Sequence, residues 1–156
     1  MPQSQNNVVV LVAQHFRFPH ETGGLRPFRI ANALTECGFT VHVLAGTGKY
    51  AARKSTVRCG GSLSFTVERL WTPYSQEMGE VRRIFSFLWF ALASTLRVIK
   101  LRPSMVYASS TPLLVGIPAA VSKTLLKSRM IFEVRDLKST FRLQLSHTGG
   151  GEKKAC

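Results

Sequence analysis

The chain has 156 residues, of which 45% are hydrophobic, and its 21 Lys and Arg residues against 8 Asp and Glu residues give a formal net charge of +13. Its apolar content is sufficient for a folded core and excludes a chain that is disordered by composition, and the length suits one domain. The surplus of positive charge leaves nucleic acid, anionic membranes and phosphorylated ligands as classes of partner.

The positive charge is concentrated in two segments. No acidic residue occurs between Glu80 and Glu133, and the basic residues there are Arg82, Arg83, Arg97, Lys100, Arg102, Lys123, Lys127 and Arg129. A second basic cluster falls in a segment that we predict to be a loop, and it consists of Lys49, Arg53, Lys54 and Arg58. Such clusters are typical either of a solvated surface or of a site for an anionic partner.

The cysteines indicate a reducing compartment. Cys37, Cys59 and Cys156 match no zinc-ligand or CxxC spacing, and their odd number argues against a disulfide framework. We expect Cys37, on the apolar stripe of a predicted helix, to be a small core residue. We expect no metal site. The apolar segment "VVVLVA" (8–13) is short and follows no Lys or Arg, so it predicts a buried strand rather than a signal peptide.

The first predicted elements form a βαβ unit. A buried strand at 8–13 and a loop at 15–24 precede a helix that has Pro27 in its first turn and stops at Gly38. A half-buried strand is predicted at 39–46, because apolar and polar residues alternate there.

The remaining elements continue the alternation of strands and helices. In chain order they are a small, basic and mobile loop at 47–61, a strand at 63–71, a long helix at 79–101, a strand at 104–110, a helix at 111–127 and a strand at 130–137. This order predicts an α/β fold, a doubly wound parallel sheet in a Rossmann-like αβα sandwich, with the first strand near the centre. Residues 138–156 have no sustained period and are expected to form a disordered tail.

The glycine pair Gly23–Gly24 lies between the first strand and the first helix. In open α/β sheets, ligands bind at the carboxyl ends of the strands, where this loop must lie. Glycines there would let backbone N–H groups approach a phosphate or a sugar beside a helix N-terminus. The segment is not GxGxxG and lacks the P-loop lysine, so a plain turn is the alternative.

Two further segments stand out. The run Ile84–Leu96 carries no charge over 13 residues and is flanked by cations, so it either fills the core, which we favour, or rests in a membrane interface, and one face could serve each purpose. "EVRD" (133–136) places Glu133, Arg135 and Asp136 at the end of the last strand, which is the ligand edge of the sheet. An Arg–carboxylate pair that caps the strand is the structural alternative.

Three segments together resemble a known family. They are "HFRFPHETGGLRPFRIANALTECGFTVHVLAG", "FLWFALASTLRVIKLRPSMVYASSTPLLVGIPA" and "FEVRDL". Their order and spacing resemble the amino-terminal domain of GT-B glycosyltransferases of family 4, in the branch that builds bacterial cell-surface polysaccharides on lipid-linked acceptors. The likeness runs from about Val8 to Leu137 and implies that residues 1–137 are an acceptor-side domain.

The resemblance implies an activity and a set of site residues. The family transfers a sugar from a nucleotide sugar with retention of configuration and without a bound metal or other cofactor. Gly23, Gly24 and Arg135 would contact donor or substrate, and Asp136 is the catalytic candidate. Docking near an anionic membrane that holds a polyprenyl-linked acceptor would place the protein in the cytoplasm, peripheral on the inner membrane face. The membrane-facing candidates are Arg82, Arg83, Trp89, Arg97 and Lys100.

The chain also departs from the family. Members usually continue "RDL" with Trp-Pro, whereas "KSTFRLQ" follows here, and the carboxyl-terminal domain that holds most donor contacts is absent from this sequence. We therefore expect a domain that is inactive by itself. The alternative is a non-catalytic, basic Rossmann-like module that binds a phosphorylated ligand, a membrane surface or a separate donor-domain chain. We expect no nucleic-acid partner, because no recognised nucleic-acid module occurs.

Overall fold

The computed structural model describes residues 7–47, 53–59, 63–72, 79–109 and 113–134. The elements within these ranges are β1 (Val8–Val12), α1 (Arg26–Glu36), β2 (Thr40–Gly46), β3 (Arg53–Cys59), β4 (Leu63–Leu70), α2 (Glu80–Leu101), β5 (Met105–Ser109), a 3₁₀ turn (Leu113–Val115), α3 (Gly116–Leu126) and β6 (Arg129–Glu133). The predicted tail at 138–156 lies outside the described residues.

The strands form one sheet in the order β3-β4-β2-β1-β5-β6. β1 pairs in parallel with β2 and β5, β2 pairs in parallel with β4, and β5 with β6. Only the β3–β4 pair among these is antiparallel. The predicted α/β class, the doubly wound sheet and the central position of the first strand are therefore confirmed.

β3 corrects the sequence prediction. The segment 47–61 was expected to be a mobile loop, but Arg53–Cys59 pairs with Leu63–Leu70 along its whole length, so the sheet has a sixth strand. This strand lies at the edge of the sheet, where Lys54 and Thr56 are exposed and only one side needs a partner. Its composition is therefore more polar than that of a buried strand.

Two apolar cores lie on the two faces of the sheet, because successive side chains of a strand point to opposite faces. Val10 and Val12 of β1 pack on one face with residues of α2 and α3, including Phe90, Val98 and Ala119. Leu11 packs on the other face with α1 and with the loop residue Phe16 and the β4 residue Phe65. The helices therefore cover both faces, as an αβα sandwich requires.

One prediction about burial is wrong, and another holds only in part. Cys37 is exposed rather than in the core, because α1 ends at Glu36 and its buried positions, Pro27, Ala31 and Thr35, follow a different stripe. β2 was expected to be half-buried. Its first half does alternate, with Thr40 exposed and His42 partly exposed, but from Val43 onward every residue is buried, because the strand lies inside the sheet between β1 and β4.

A charged cluster joins α2 to the sheet. Nη2 of Arg97 lies 2.5 Å from Oε2 of Glu68 on β4. His42 on β2 faces the same side, and its pKa is lowered first by burial and then by the positive charges of Lys54 and Arg97, while Glu68 raises it. The neutral imidazole is therefore favoured in the folded protein.

His42 should make the stability of the protein depend on pH. Since its pKa is below 6.5 in the folded state, its contribution is complete above about pH 6.5 and is lost as the pH falls through the folded value. We expect the free energy of unfolding, measured with urea, to fall between neutral and mildly acidic pH, and His42→Gln to lessen that fall. Lys54→Gln should raise the pKa of His42, which NMR titration of the ring protons would measure. An unchanged pH dependence in His42→Gln would contradict this assignment.

Candidate functional site

The candidate site lies at the carboxyl ends of β1 and β5. The chain leaves β1 toward β2 on one side of the sheet, whereas β5 connects to β6 on the other side. This reversal between neighbouring strands is the topological switch point, where open α/β sheets bind ligands. The residues brought together there come from the loop 13–25, from the end of β5 and from the end of β6.

The loop after β1 is held in place by its own side chains. The backbone N–H of Phe18 donates to Oε2 of Glu21 at 2.8 Å, and the N–H of Glu21 donates to the carbonyl of Phe18 at 2.9 Å. Oε1 of Glu21 lies 3.7 Å from Nη2 of the buried Arg69, whose guanidinium carbon lies 5.3 Å from the centre of the Phe18 ring. Glu21 therefore closes the turn, a role that the sequence analysis had left unassigned.

Gly23 adopts a backbone conformation that favours glycine. Its φ is 140°, and a Cβ at this position would lie 3.2 Å from Cγ of Arg17. Gly23 and Gly24 are both exposed, directly before the N-terminus of α1. Their predicted contact with a donor stays a prediction, and the geometry leaves their backbone accessible.

The loop 13–25 contains one arginine, Arg17, and one acid, Glu21, and Arg26 follows it as the first residue of α1. The pKa of His15 is lowered first by desolvation of the ring and then by the positive charge of Arg17, although part of the residue is exposed. The His15 imidazole is therefore biased toward its neutral form. Arg17 and Arg26 thus supply positive charge near the glycine pair.

Glu133 is the residue on which three separate segments meet. Its Oε1 lies 2.5 Å from Nη2 of Arg26 in the first turn of α1. The hydroxyl groups of Tyr107 and Ser109 on β5 each donate to its Oε2 at 3.1 Å. The Glu133 side chain is 11% exposed, whereas that of Arg26 is 62% exposed. A nearly buried carboxylate is thereby joined to an arginine that still reaches solvent.

Other predicted site residues cannot be placed beside Glu133. Arg135 and Asp136 lie outside the described residues, so their assignments stay predictions. The predicted alternative for this segment was an Arg–carboxylate pair that caps the strand. Glu133 does form such a pair, but its partner is Arg26 of α1, which sequence spacing could not reveal.

Gln14 is a residue at this edge that the sequence analysis did not single out. It follows β1, is 4% exposed, and its side-chain oxygen and nitrogen have no hydrogen-bond partner among the residues that the structure describes. Its neighbours at this edge are Thr47 and Thr72, which are hydrogen-bonded to each other. The sequence feature that could have identified Gln14 is its position as a polar residue directly after the apolar run at 8–13.

The membrane-facing candidates divide between two environments. Arg82 and Lys100 are exposed, and Trp89 is 50% exposed. Arg97 instead pairs with Glu68 on the sheet, and Arg83 is half-buried. In the described part of the chain, only α2, with 22 residues, is long and apolar enough to cross a membrane by length and composition. The core of a soluble protein can also contain such a helix.

No group of three or more His, Cys, Asp or Glu residues with metal-binding placement occurs within the described ranges.

Comparison with known proteins establishes the fold. No family model matches the chain, and no curated protein matches it significantly. Among solved structures, it is similar to the C-terminal domain of a hydrogenase from Pyrococcus furiosus, with 15% identity, a TM-score of 0.50, and coverage of 81% of this chain and 90% of that chain. A glycosyltransferase from Rickettsia africae matches with 12% identity and a TM-score of 0.42, covering 90% of this chain and 33% of that chain.

The chain thus spans about a third of the length of the Rickettsia glycosyltransferase. At 15% identity the hydrogenase domain shows a shared fold and nothing about activity. What the comparisons support is a Rossmann-like α/β domain, in agreement with the sheet order.

Glu133 should contribute more to stability than its exposed partner does. Glu133→Gln removes the charge of a nearly buried carboxylate that accepts from two hydroxyl groups and forms an ion pair with Arg26. Hydrogen bonds to charged groups contribute on the order of 1.5–3 kcal/mol, so we expect a loss of about 1–2 kcal/mol. Arg26→Gln should cost less than about 1 kcal/mol, because an exposed ion pair contributes little. Urea unfolding at neutral pH measures both values.

Arg29→Gln, a change of an exposed arginine on the same helix, is the control and should have almost no effect. Equal losses for Arg26→Gln and Glu133→Gln would contradict the ranking.

Proposed function

We propose that residues 1–137 are the acceptor-side domain of a retaining GT-B glycosyltransferase of family 4. It would take part in moving a sugar from a nucleotide sugar to a glycan acceptor, linked to a lipid, in the synthesis of a cell-surface polysaccharide. The observation that carries the proposal is the meeting of the family-like segments at Glu133. Arg26 follows the "PHETGG" loop, Tyr107 and Ser109 belong to "YASSTPL", and Glu133 belongs to "FEVRDL".

This convergence supports the proposal because the three segments are far apart in sequence. Neighbouring parallel strands end at one edge of any such sheet, so the support comes from the polar side chains of the three segments, which contact one another there. The edge is also the switch point at which an α/β fold binds ligands. The resemblance and the sheet topology both indicate this edge as the ligand-binding edge, and this agreement supports the proposal.

The residues at this edge suit a diphosphate and a sugar. Arg26 uses one nitrogen for Glu133, and its exposed guanidinium retains further N–H donors that a phosphate could accept. The exposed backbone at Gly23 and Gly24 allows close approach, and the N-terminus of α1 favours an anion. Glu133, held by two hydroxyl groups, would orient Arg26 toward the ligand. Asp136 remains the proposed catalytic residue and Arg135 a proposed substrate contact.

We propose that transfer needs a second, donor-binding domain, either on a separate chain or in a longer protein. Catalysis between two domains depends on holding donor and acceptor together, and a misplacement of about 1 Å can cost on the order of a hundredfold in rate. The 156-residue chain should therefore show no turnover with nucleotide sugars and a polyprenyl-diphosphate-linked sugar. The same fold occurs in a hydrogenase domain, so the fold by itself does not separate this proposal from a non-catalytic binding module.

The binding half of the proposal can be tested by NMR on the ¹⁵N-labelled 156-residue chain. UDP-glucose, GDP-mannose and a farnesyl-diphosphate-linked N-acetylglucosamine are the probes. We expect chemical-shift changes at the backbone amides of Gly23, Gly24 and Arg26 and at Glu133. Arg26→Gln should weaken the effect several-fold, because it removes a charge-assisted contact to phosphate.

Arg129→Gln is the matched control, since Arg129 is an exposed arginine at the amino end of β6, on the opposite edge of the sheet. Changes that appear with inorganic diphosphate alone, and to the same extent, would favour the binding module over the transferase. Changes confined to other surfaces, or turnover by the chain alone that is lost in Gly23→Ala, would overturn the acceptor-side assignment.

A further inference from the structure

The outward face of α2 is apolar along its length. Its large exposed side chains recur at helical spacing and are Val81, Ile84, Phe85, Leu88, Trp89, Leu92 and Leu96. Phe85 is 67% exposed and Leu96 is 58% exposed, so these residues are not shielded by neighbouring elements. We call this set the α2 outer face.

The core does not account for this face. The side of α2 that packs on the sheet is formed by other and mostly smaller residues, namely Ser86, Phe90, Ala91, Ser94 and Val98. Burial is therefore complete without the α2 outer face, and the favoured prediction that Ile84–Leu96 fills the core is wrong for about half of that run. An exposed apolar face of this extent marks an interaction site.

The exposed charged residues of α2 and α3 are positive except for Glu80. Arg82 and Lys100 are exposed near the two ends of α2, and Lys123 and Lys127 are exposed on α3, which packs beside it. Apart from Glu80 at the start of α2, no acidic residue occurs until Glu133. A partner that covers this surface must therefore be apolar in its interior and negatively charged at its rim.

Two tryptophans extend the face at the carboxyl edge of the sheet. Trp71 follows β4 and is 61% exposed, and its ring centre lies 6.4 Å from that of Trp89 in an edge-to-face arrangement. Nε1 of Trp89 donates to the carbonyl oxygen of Trp71 at 3.1 Å. Tryptophan combines a large apolar body with a polar N–H group, and it is enriched where proteins meet the interface of a membrane.

We propose that the α2 outer face, with Trp71, docks in the interface of an anionic lipid bilayer. The charge complementarity selects this occupant over a second copy of the chain, because two copies would bring cations together with almost no acids to pair them. The packing of α2 against the sheet favours a helix that lies on the membrane surface over one that spans the bilayer. α2 is bound to the sheet through Phe90, Val98 and the Arg97–Glu68 pair, and it could not leave without exposing that core.

Docking would set the orientation of the candidate site. α2 begins after β4, at the carboxyl edge of the sheet. The first half of α2, which contains Trp89, therefore lies at the same edge as Glu133 and the loop with Gly23 and Gly24. The bilayer would then lie beside the edge at which ligands bind. This proposal does not depend on the proposed function, because the nucleotide-sugar titration needs no lipid. A negative result in one experiment would therefore not contradict the other proposal.

The test uses the 156-residue chain and sedimentation of vesicles. The chain contains 2 tryptophans, Trp71 and Trp89, so a blue shift of the intrinsic fluorescence reports this surface alone. We expect binding to phosphatidylcholine vesicles that contain about 30% phosphatidylglycerol, weak binding to pure phosphatidylcholine, and loss of binding as salt rises.

Two kinds of variant separate the apolar and the electrostatic parts. Leu92→Gln should weaken binding roughly tenfold, because it removes one inserted side chain. Ile131→Gln is its matched control, since Ile131 is 43% exposed but lies on β6, away from α2, and its binding should be unchanged. Arg82→Gln and Lys100→Gln should each weaken binding about fivefold at low salt.

Three outcomes would overturn the proposal. Equal binding to neutral and anionic vesicles would remove the charge argument. Dimers in sedimentation velocity without lipid, dispersed by Leu92→Gln, would assign the face to a second copy. Bound protein that resists extraction by roughly 0.5 M salt and by alkaline carbonate would indicate a spanning helix rather than one on the surface.

Discussion

The burial of β1 on both of its faces is the constraint on which the rest of the domain depends. Val9, Val10, Leu11 and Val12 are completely buried, and backbone pairing with β2 and β5 occupies both edges of the strand. Val10 and Val12 belong to one apolar core and Leu11 to the other. A polar residue at any of them would be buried without a partner, which is costly in either core.

The same strand fixes where the candidate site begins. Directly after β1, the N–H of Ala13 donates to the carbonyl of Leu44, and the carbonyl of Gln14 accepts from Gly46, both at 3.0 Å. Gly46 is required there, since a Cβ would lie 2.8 Å from Oγ1 of Thr72 and 3.1 Å from the Gln14 carbonyl oxygen. The loop that contains Gly23 and Gly24 thus begins at a well-anchored strand end, and the hydrogen bonds of Glu21 complete the turn. A site on a loop gains accuracy from such support.

Periodicity in the sequence was sufficient for the parallel strands and the helices, because their burial imposes a regular apolar pattern. Periodicity did not reveal β3, because Lys54 and Thr56 in this strand face solvent. β3 forms through backbone pairing with β4 rather than through burial of apolar side chains. Gly60 and Gly61, which separate two segments that contain Thr and Val, are the sequence signal typical of a hairpin at this position.

The side-chain pairs at the site lay beyond the reach of local patterns. Glu133 and Arg26 are distant in sequence, and so are Glu68 and Arg97, so only the folded topology brings each pair together. For α2 the sequence indicated an apolar helix correctly but could not say which residues the sheet would cover. That choice depends on the small residues Ala91 and Ser94, which let the helix lie against the sheet on one side only.

The central position of β1 has a consequence for synthesis of the protein. β1 leaves the ribosome about a hundred residues before its second neighbour, β5, and this interval lasts roughly 5–20 s at usual rates of translation. During this interval one edge of the strand "VVVLV" is unpaired and one of its faces lacks α2. A short, uncharged, β-branched segment in that state is prone to pair with other chains. Expression yield should therefore depend on chaperones that bind nascent chains more than on the stability of the finished fold.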